Sequence, residues 1–374
     1  MFFQKLLILV VISGLCGCLE RAEQIAPEMN QQSNSTPHGI FAAGNWVLVS
    51  DPQLDLTKNP VGYGAGTVYV IDPQSREIVN ALPTTSKNPL HFAATEEYFL
   101  VVSQGPLAYL DGKHQSTGSG SIDAFDISSL DSAATATWSI PISEAPGAIA
   151  LAADYMFLGN SFLPRLYKAD FAQQSVTRGP DNPIIIHSET EVDTTKPMAL
   201  PDGRLAVISC NTNALYFVDP LTDTVASERI SLLNNPDCAG KPECLECPID
   251  LALHETGNVA EIYVLKSISN HVARVNLNDH SVVADWAVIG PVANKLWVHN
   301  NNLFVINSGA NNLQRIELGT GHSKMISIFP VSSNPYEGIS AFGQHWVTLM
   351  MKGTIAISPI ASPESSEILL LPDP

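Results

Sequence analysis

Basic residues are scarce in this chain: 19 Lys and Arg stand against 37 Asp and Glu in 374 residues, a formal net charge of −18. Phosphate backbones are held by clustered Lys and Arg, so this balance argues against nucleic acid as a partner. It leaves solubility, repulsion from anionic lipid, or attraction of cations as the readings of the charge. The ten histidines show no metal-ligand spacing. Covalent haem needs His after a Cys-x-x-Cys pair, and Cys244-Leu245-Glu246-Cys247 is followed by Pro248. A thioredoxin-like role for that pair fails because no βαβ pattern surrounds it. The nucleophile motif Gly-x-Ser-x-Gly is also missing, since Thr117-Gly118-Ser119-Gly120 has the wrong spacing and precedes no helix. No stretch shows the apolar stripe of an amphipathic helix.

What is present is a repeat. Pro37, Pro89, Pro146, Pro197, Pro248, Pro291 and Pro335 each precede a short apolar run, at spacings of 52, 57, 51, 51, 43 and 44 residues, with 39 residues left after the last. The sixth unit shows the plan most plainly: apolar segments at 292–298, 303–307, 313–318 and 325–329, separated by Asn, Gly and Ser. Turn-forming residues stop a strand and let the chain reverse, so each unit reads as four short strands. Four strands in about 40 to 50 residues are the signature of a β-propeller blade, because one small sheet cannot bury both faces alone and must stack on its neighbours.

A second landmark keeps the same register. The third strand of the units ends at Ile71-Asp72, Phe125-Asp126, Ala169-Asp170, Val218-Asp219, Val275-Asn276, Ile316-Glu317 and Ile357-Ser358, spaced by 54, 44, 49, 57, 41 and 41 residues. Runs such as Gly66-Thr67-Val68-Tyr69-Val70-Ile71-Asp72-Pro73 and Leu215-Tyr216-Phe217-Val218-Asp219-Pro220-Leu221-Thr222 resemble YVTN-type repeats. Units three and seven depart most from that pattern. The resemblance covers roughly residues 37–372 and implies an all-β, seven-bladed propeller with four-stranded antiparallel blades, but no single chemistry. Asp285-Trp286 is not the WD-repeat dipeptide, since it falls in a fourth strand and occurs once.

The N-terminus reads as an export signal. Lys5 precedes an apolar segment at 6–15, ten residues against the roughly 20 that a membrane-spanning helix needs. Leu15-Cys16-Gly17-Cys18 resembles a bacterial lipobox, which implies a signal peptide over 1–17 and lipidation of Cys18. Leu19 after the lipidated residue points to the outer membrane or cell surface, and several acyl chains suffice for stable anchoring. Residues 18–36 are polar and read as a flexible tether, and residues 37–374 as the propeller.

Outside the signal region stand Cys210, Cys238, Cys244 and Cys247, an even number in an exported chain, where disulfides persist. A four-thiolate zinc site is disfavoured because only Cys244 and Cys247 have its usual spacing. Three disulfide pairings are open; the expected one joins Cys210 to Cys247, beside Pro248, and Cys238 to Cys244 within the loop between blades 4 and 5.

Relative to the compact sixth unit, insertions fall near 51–65, at 103–120, at 181–196 and at 234–247, all on the face where second-to-third strand links and blade-to-blade links emerge. Binding residues concentrate on loops held by a rigid scaffold, so this face is the expected site. Residues flanking the prolines or ending second strands would ring the tunnel mouth: His91, Asn160, Lys196, Asn211, Asp250, Asn307, Tyr336 and Glu337. Calcium takes six to eight oxygen ligands, and Asp250 and Glu337, with Asn211 and Asn307, would supply some of them. Lactonase-like propellers hold a central calcium, yet their local motifs are not found here, and no quinone signature is visible. The expectation is therefore a lipid-anchored binding or scaffold module for a protein or small-molecule ligand. The alternative is a metal-dependent hydrolase or an oxidoreductase at the tunnel mouth.

Overall fold

The computed structural model describes residues 35–372, except 56–57, 59–60, 111–112, 188–192, 236, 238–243 and 258. Seven antiparallel sheets follow one another along the chain, each with its strands in sequence order. Blade 1 is built from Ile40–Ala43, Trp46–Asp51, Thr67–Ile71 and Ile78–Pro83, and blade 7 from Pro335–Ala341, Gln344–Leu349, Thr354–Pro359 and Glu367–Leu370. The protein is a seven-bladed β-propeller; among the described residues the only helical pieces are short 3-10 turns such as Met350–Lys352. Among the described residues, no helix is long and apolar enough to cross a membrane.

Alternation along each strand explains how seven small sheets become one body. Val47 and Val49 turn toward blade 7, while Leu48 between them turns toward blade 2; Tyr69 and Ile71 divide from Val68 and Val70 in the same way. Side chains of a strand alternate faces, so a second or third strand buried on both sides is apolar at every position rather than at every other. Seven such layers form, one between each pair of neighbouring blades.

The two sequence landmarks have separate physical causes. Pro89, Pro146, Pro248 and Pro335 are each the first residue of the first strand of a blade, where a missing N–H costs least. The recurrent Asp caps the turn after the third strand. Asp72, Asp126 and Asp219 accept the backbone N–H two residues on at 2.7, 2.8 and 2.8 Å, and Asn276 does the same at 2.8 Å. Such Asx turns satisfy the backbone where the hairpin reverses.

The ring closes between two complete blades. Ile40, Val47, Val49, Tyr69 and Ile71 of blade 1 pack on Trp346, Ile355 and Ile357 of blade 7, and on Leu371 beyond its last strand. Thr348 Oγ1 donates to the His38 carbonyl at 2.8 Å across the same seam, and Arg76 pairs with Glu367. The start of the domain differs from expectation: Ser35 and Thr36, assigned to the tether, are buried. There the Ser35 hydroxyl and Thr36 N–H bond the Asp51 carboxylate at 2.7 and 2.8 Å.

Trp346 fills the seam and is fully buried. Replacing it with Ala should cost about 3–5 kcal/mol of stability, as for other large core side chains, measured by urea denaturation. A loss under about 1 kcal/mol, the level of ordinary surface changes, would show that the ring does not depend on this seam.

Candidate functional site at the channel mouth

First strands of successive blades touch one another around the ring, blade 7 meeting blade 1, so these strands line the axial channel. Their opening residues share a local irregularity. In blades 2, 3, 5, 6 and 7 the pairing of first with second strand skips near the start: Pro89 faces Ser103 and then His91 faces Val102, and Pro248 faces Lys266 and then Asp250 faces Leu265. Such bulges re-aim a side chain at the end of a ladder. Lys295 occupies the same place in blade 6, opposite Ile306. Blade 4 pairs without a skip and sets Lys196 opposite Ile208, and Glu337 lies within the bulge of blade 7.

Equivalent positions on blades 4 to 7 therefore carry Lys196, Asp250, Lys295 and Glu337, an arc of alternating charge. Lys196 Nζ donates to Asp250 Oδ1, and Lys295 Nζ lies 3.7 Å from Asp250 Oδ2 and 3.6 Å from Glu337 Oε1. The Asp250 side chain is 1% exposed, against 20% and 21% for the two lysines, so the carboxylate is buried beneath side chains that remain partly exposed. Its second oxygen accepts the Leu296 N–H at 2.9 Å.

Each charge is set by two opposed effects. Burial pushes the Asp250 carboxyl up, but Lys196 and Lys295 outweigh it and hold the group below its ordinary value. Burial likewise pulls Lys295 down, and Asp250 with Glu337 overcomes it, leaving that ammonium more firmly protonated than a free lysine. For Lys196 burial prevails over the attraction of Asp250, and its value is lowered.

Blades 1, 2 and 7 add neutral groups to the mouth. Burial lowers His91 to about 3, with Lys196 and Lys295 adding to the effect, and lowers His38 to about 4. His38 Nδ1 lies 2.8 Å from the Thr36 carbonyl; a carbonyl only accepts, so Nδ1 carries the proton and Nε2 a lone pair. The His38 ring meets Tyr336 edge to face at 4.5 Å, and burial raises the Tyr336 phenol.

Five of the expected site residues thus converge: His91, Lys196, Asp250, Tyr336 and Glu337. Three do not join them. Asn160 Oδ1 accepts the Phe162 N–H at 2.8 Å while its amide donates to Glu144 O and Tyr167 Oη at 3.0 and 2.9 Å. Asn307 donates to Asn312 and Gln314 at 2.7 and 3.1 Å, and the Asn211 N–H bonds Asp193 at 3.0 Å. All three end or follow a second strand, one strand removed from the axis, and the Asn160 and Asn307 amides fasten the turns there. The cation expectation for Asp250 and Glu337 is also redirected. Lys196 pairs directly with Asp250, and Lys295 lies near both carboxylates, while among the described residues no three His, Cys, Asp or Glu groups gather as a metal site.

Lys295 and His38 were missed. Lys295 stands four residues after Pro291 rather than two, because Ala293 takes the place that proline holds in blade 5, opposite Asn307 as Pro248 is opposite Lys266. Counting from the strand start instead of the proline would have found it.

On the same face, a disulfide joins Cys210 to Cys247, as expected from their placement. Cys244 is disulfide-bonded as well; its expected partner Cys238 lies outside the described residues, as does Cys18. Asn213 Oδ1 accepts the N–H groups of Glu246 and Cys247 at 2.8 and 3.1 Å, and the fully buried Lys266 pairs with Glu246 and Asp285. The bridge and these bonds hold the loop that leads into Asp250. Insertions elsewhere on this face also pack: Leu54, Val61 and Tyr63 of the blade 1 hairpin meet Met351 of blade 7. Asp193, His187 and Ser209 cluster nearby, but one atom, His187 Nε2, faces both Asp193 at 2.7 Å and Ser209 at 3.1 Å. A Ser-His-Asp relay needs both ring nitrogens, so this is a structural knot.

This architecture defines the class, a seven-bladed propeller with an ionic channel mouth. The sequence matches no family model and no curated protein. Among solved structures, a streptogramin B lyase superposes with a TM-score of 0.62 at 14% identity, covering 88% of this chain and 96% of that one. A catalytically inactive virginiamycin B lyase from Staphylococcus aureus with quinupristin gives 0.55 at 12% identity, covering 87% and 95%. The dihydro-heme d1 dehydrogenase NirN gives 0.55 at 12% identity, covering 95% and 73%. At these identities the likeness is one of fold.

Two desolvated histidines, His38 buried and His91 half-buried, make stability depend on pH. A group whose folded value is depressed leaves the unfolded chain binding more protons below 6.5, so stability falls as pH drops from 6.5 toward about 4, with His38 and His91 contributing. Each contributes at most about 1.4 kcal/mol per pH unit. His91→Gln should flatten this limb in urea titrations across that window, and an unchanged slope would contradict a desolvated, neutral His91.

Proposed function

We propose that this chain is a lipid-anchored, extracytoplasmic propeller that works as a binding or scaffold module, with its ligand held at the channel mouth on the insertion-bearing face. The observation that carries the reading is the ring itself. At one equivalent position on the first strands, where a closed core would be apolar, the chain carries Lys196, Asp250, Lys295, Glu337 and His91. Burying charge is costly, and a site that keeps its lysines about one-fifth exposed is suited to meeting a polar ligand. The long loops around that mouth, one of them bridged by Cys210–Cys247, would supply the walls.

Export and anchoring rest on the Lys5, 6–15 and Leu15-Cys16-Gly17-Cys18 pattern, and a YVTN-type ancestry on the repeat runs. The outer membrane is the proposed address. Lyase and dehydrogenase activities belong to the neighbours of similar fold and are not carried over, since function resides in sites rather than folds. A metal-dependent reaction gains no support from carboxylates that are already held by lysines.

A thermal-shift screen of the mature protein against anionic, cationic and neutral solutes tests the binding role. At least one class should raise the melting temperature of the parent, and the rise should vanish in Asp250→Asn, since a ligand bound only by the folded state stabilises it by mass action. No shift with any class, or shifts that survive the substitution, would refute a ligand at this mouth. Anchoring has its own check: Cys18→Ser should move the protein from the membrane to the soluble fraction, and an unchanged distribution would refute lipidation.

A further inference from the structure

The channel mouth has hydrogen-bonding capacity left over, and it is lopsided. An ammonium group has three N–H donors. Lys196 spends one on Asp250, while Lys295 makes only long ion-pair contacts, 3.6 Å to Glu337 and 3.7 Å to Asp250. Asp250 accepts one hydrogen bond on each oxygen, from Lys196 and from the Leu296 N–H, and at 1% exposure it offers nothing further to the axis. Two lysines that share one buried carboxylate therefore keep donors to spare, and the group suited to them is an acceptor bearing negative charge.

The other side of the ring offers the opposite. His38 is buried and its Nε2 has no hydrogen-bond partner. Because Nδ1 holds the proton toward the Thr36 carbonyl, Nε2 can only accept. A buried acceptor without a donor is costly, and it is satisfied by a hydroxyl or amide brought by something else. His38 enters the first strand of blade 1, against Tyr336 of blade 7 and within electrostatic reach of His91 of blade 2, so it belongs to the same mouth.

Resting on the binding role proposed above, we propose that the mouth is a site for a small hydroxylated monocarboxylate, its carboxylate between Lys196 and Lys295 and its hydroxyl donating to His38 Nε2. Charge selects one negative group over two. Lys196 and Lys295 are formally cancelled by Asp250 and Glu337, so the arc is neutral, and the chain around it is strongly acidic at −18. A doubly charged phosphate would meet that field with twice the repulsion and no additional cation.

The probe is lactate, titrated into the mature protein and followed calorimetrically, with acetate and inorganic phosphate as comparators. Lactate should bind saturably, acetate several-fold more weakly for want of the hydroxyl, and phosphate weakest. Lys295→Met should weaken lactate by about tenfold or more, the loss of one charge-assisted hydrogen bond, with its melting curve as the folding control. Lys196→Met serves as a second variant, and the order lactate, acetate, phosphate decides the matter in the parent protein if neither variant folds. Non-saturating lactate, equal affinity for acetate, tighter phosphate, or binding indifferent to Lys295→Met would each overturn the proposal. Should the thermal-shift screen find only neutral or cationic ligands, the carboxylate assignment fails while the binding role stands; no ligand of any class refutes both.

Discussion

Every feature of this molecule depends on the inability of a four-stranded sheet to bury its own two faces. A sheet carrying Val47, Leu48 and Val49 in succession must find cover on both sides, and only a neighbour on each side provides it. Seven repeats close that requirement into a ring, with Trp346 and Ile357 of the last blade covering Val47 and Ile71 of the first. Closed repetition leaves no apolar end face, which is why a chain of this length forms one body beyond the usual size of a single core.

The same ring makes an unusual place at its centre. First strands converge there, the opening residues of five of them are turned by bulges, and side chains from different blades approach one another. At such a place an unpaired charge would be unstable, so charges appear as an alternating series: Lys196, Asp250, Lys295, Glu337. Pairing across blades then ties the mouth together, and it also sets what remains for a ligand. Asp250 is engaged inward by Lys196 and the Leu296 N–H, while the two lysines keep further ammonium donors. Neutral His38 and His91 on the opposite side keep the mouth from being uniformly ionic.

The repeat was legible because its markers have strict local causes. Proline tolerates the first position of a first strand, and Asp caps the turn after the third, so both recur with the blade. The Cys210–Cys247 bridge was legible because both residues border links that emerge on one face. Less was legible where register mattered. Asn160, Asn211 and Asn307 looked like mouth residues, but an end of a second strand is one strand from the axis. Lys295 escaped notice because blade 6 begins two residues after its proline. The pairing of Asp250 with lysines from two other blades is a property of convergence between blades 4, 5 and 6 that no single unit contains. A reading unit by unit therefore saw carboxylates suited to calcium and not their partners.

The central claim is that the mouth is an interdependent charge arc, and a double-mutant cycle between Lys196 and Asp250 tests it most directly. Stability would be measured for the parent, Lys196→Met, Asp250→Asn and the double variant. The account predicts a coupling of about 1–3 kcal/mol, as for buried groups in direct contact. Additive losses, with a coupling near zero, would contradict it, because two charges that ignore each other do not form the arc on which the site depends.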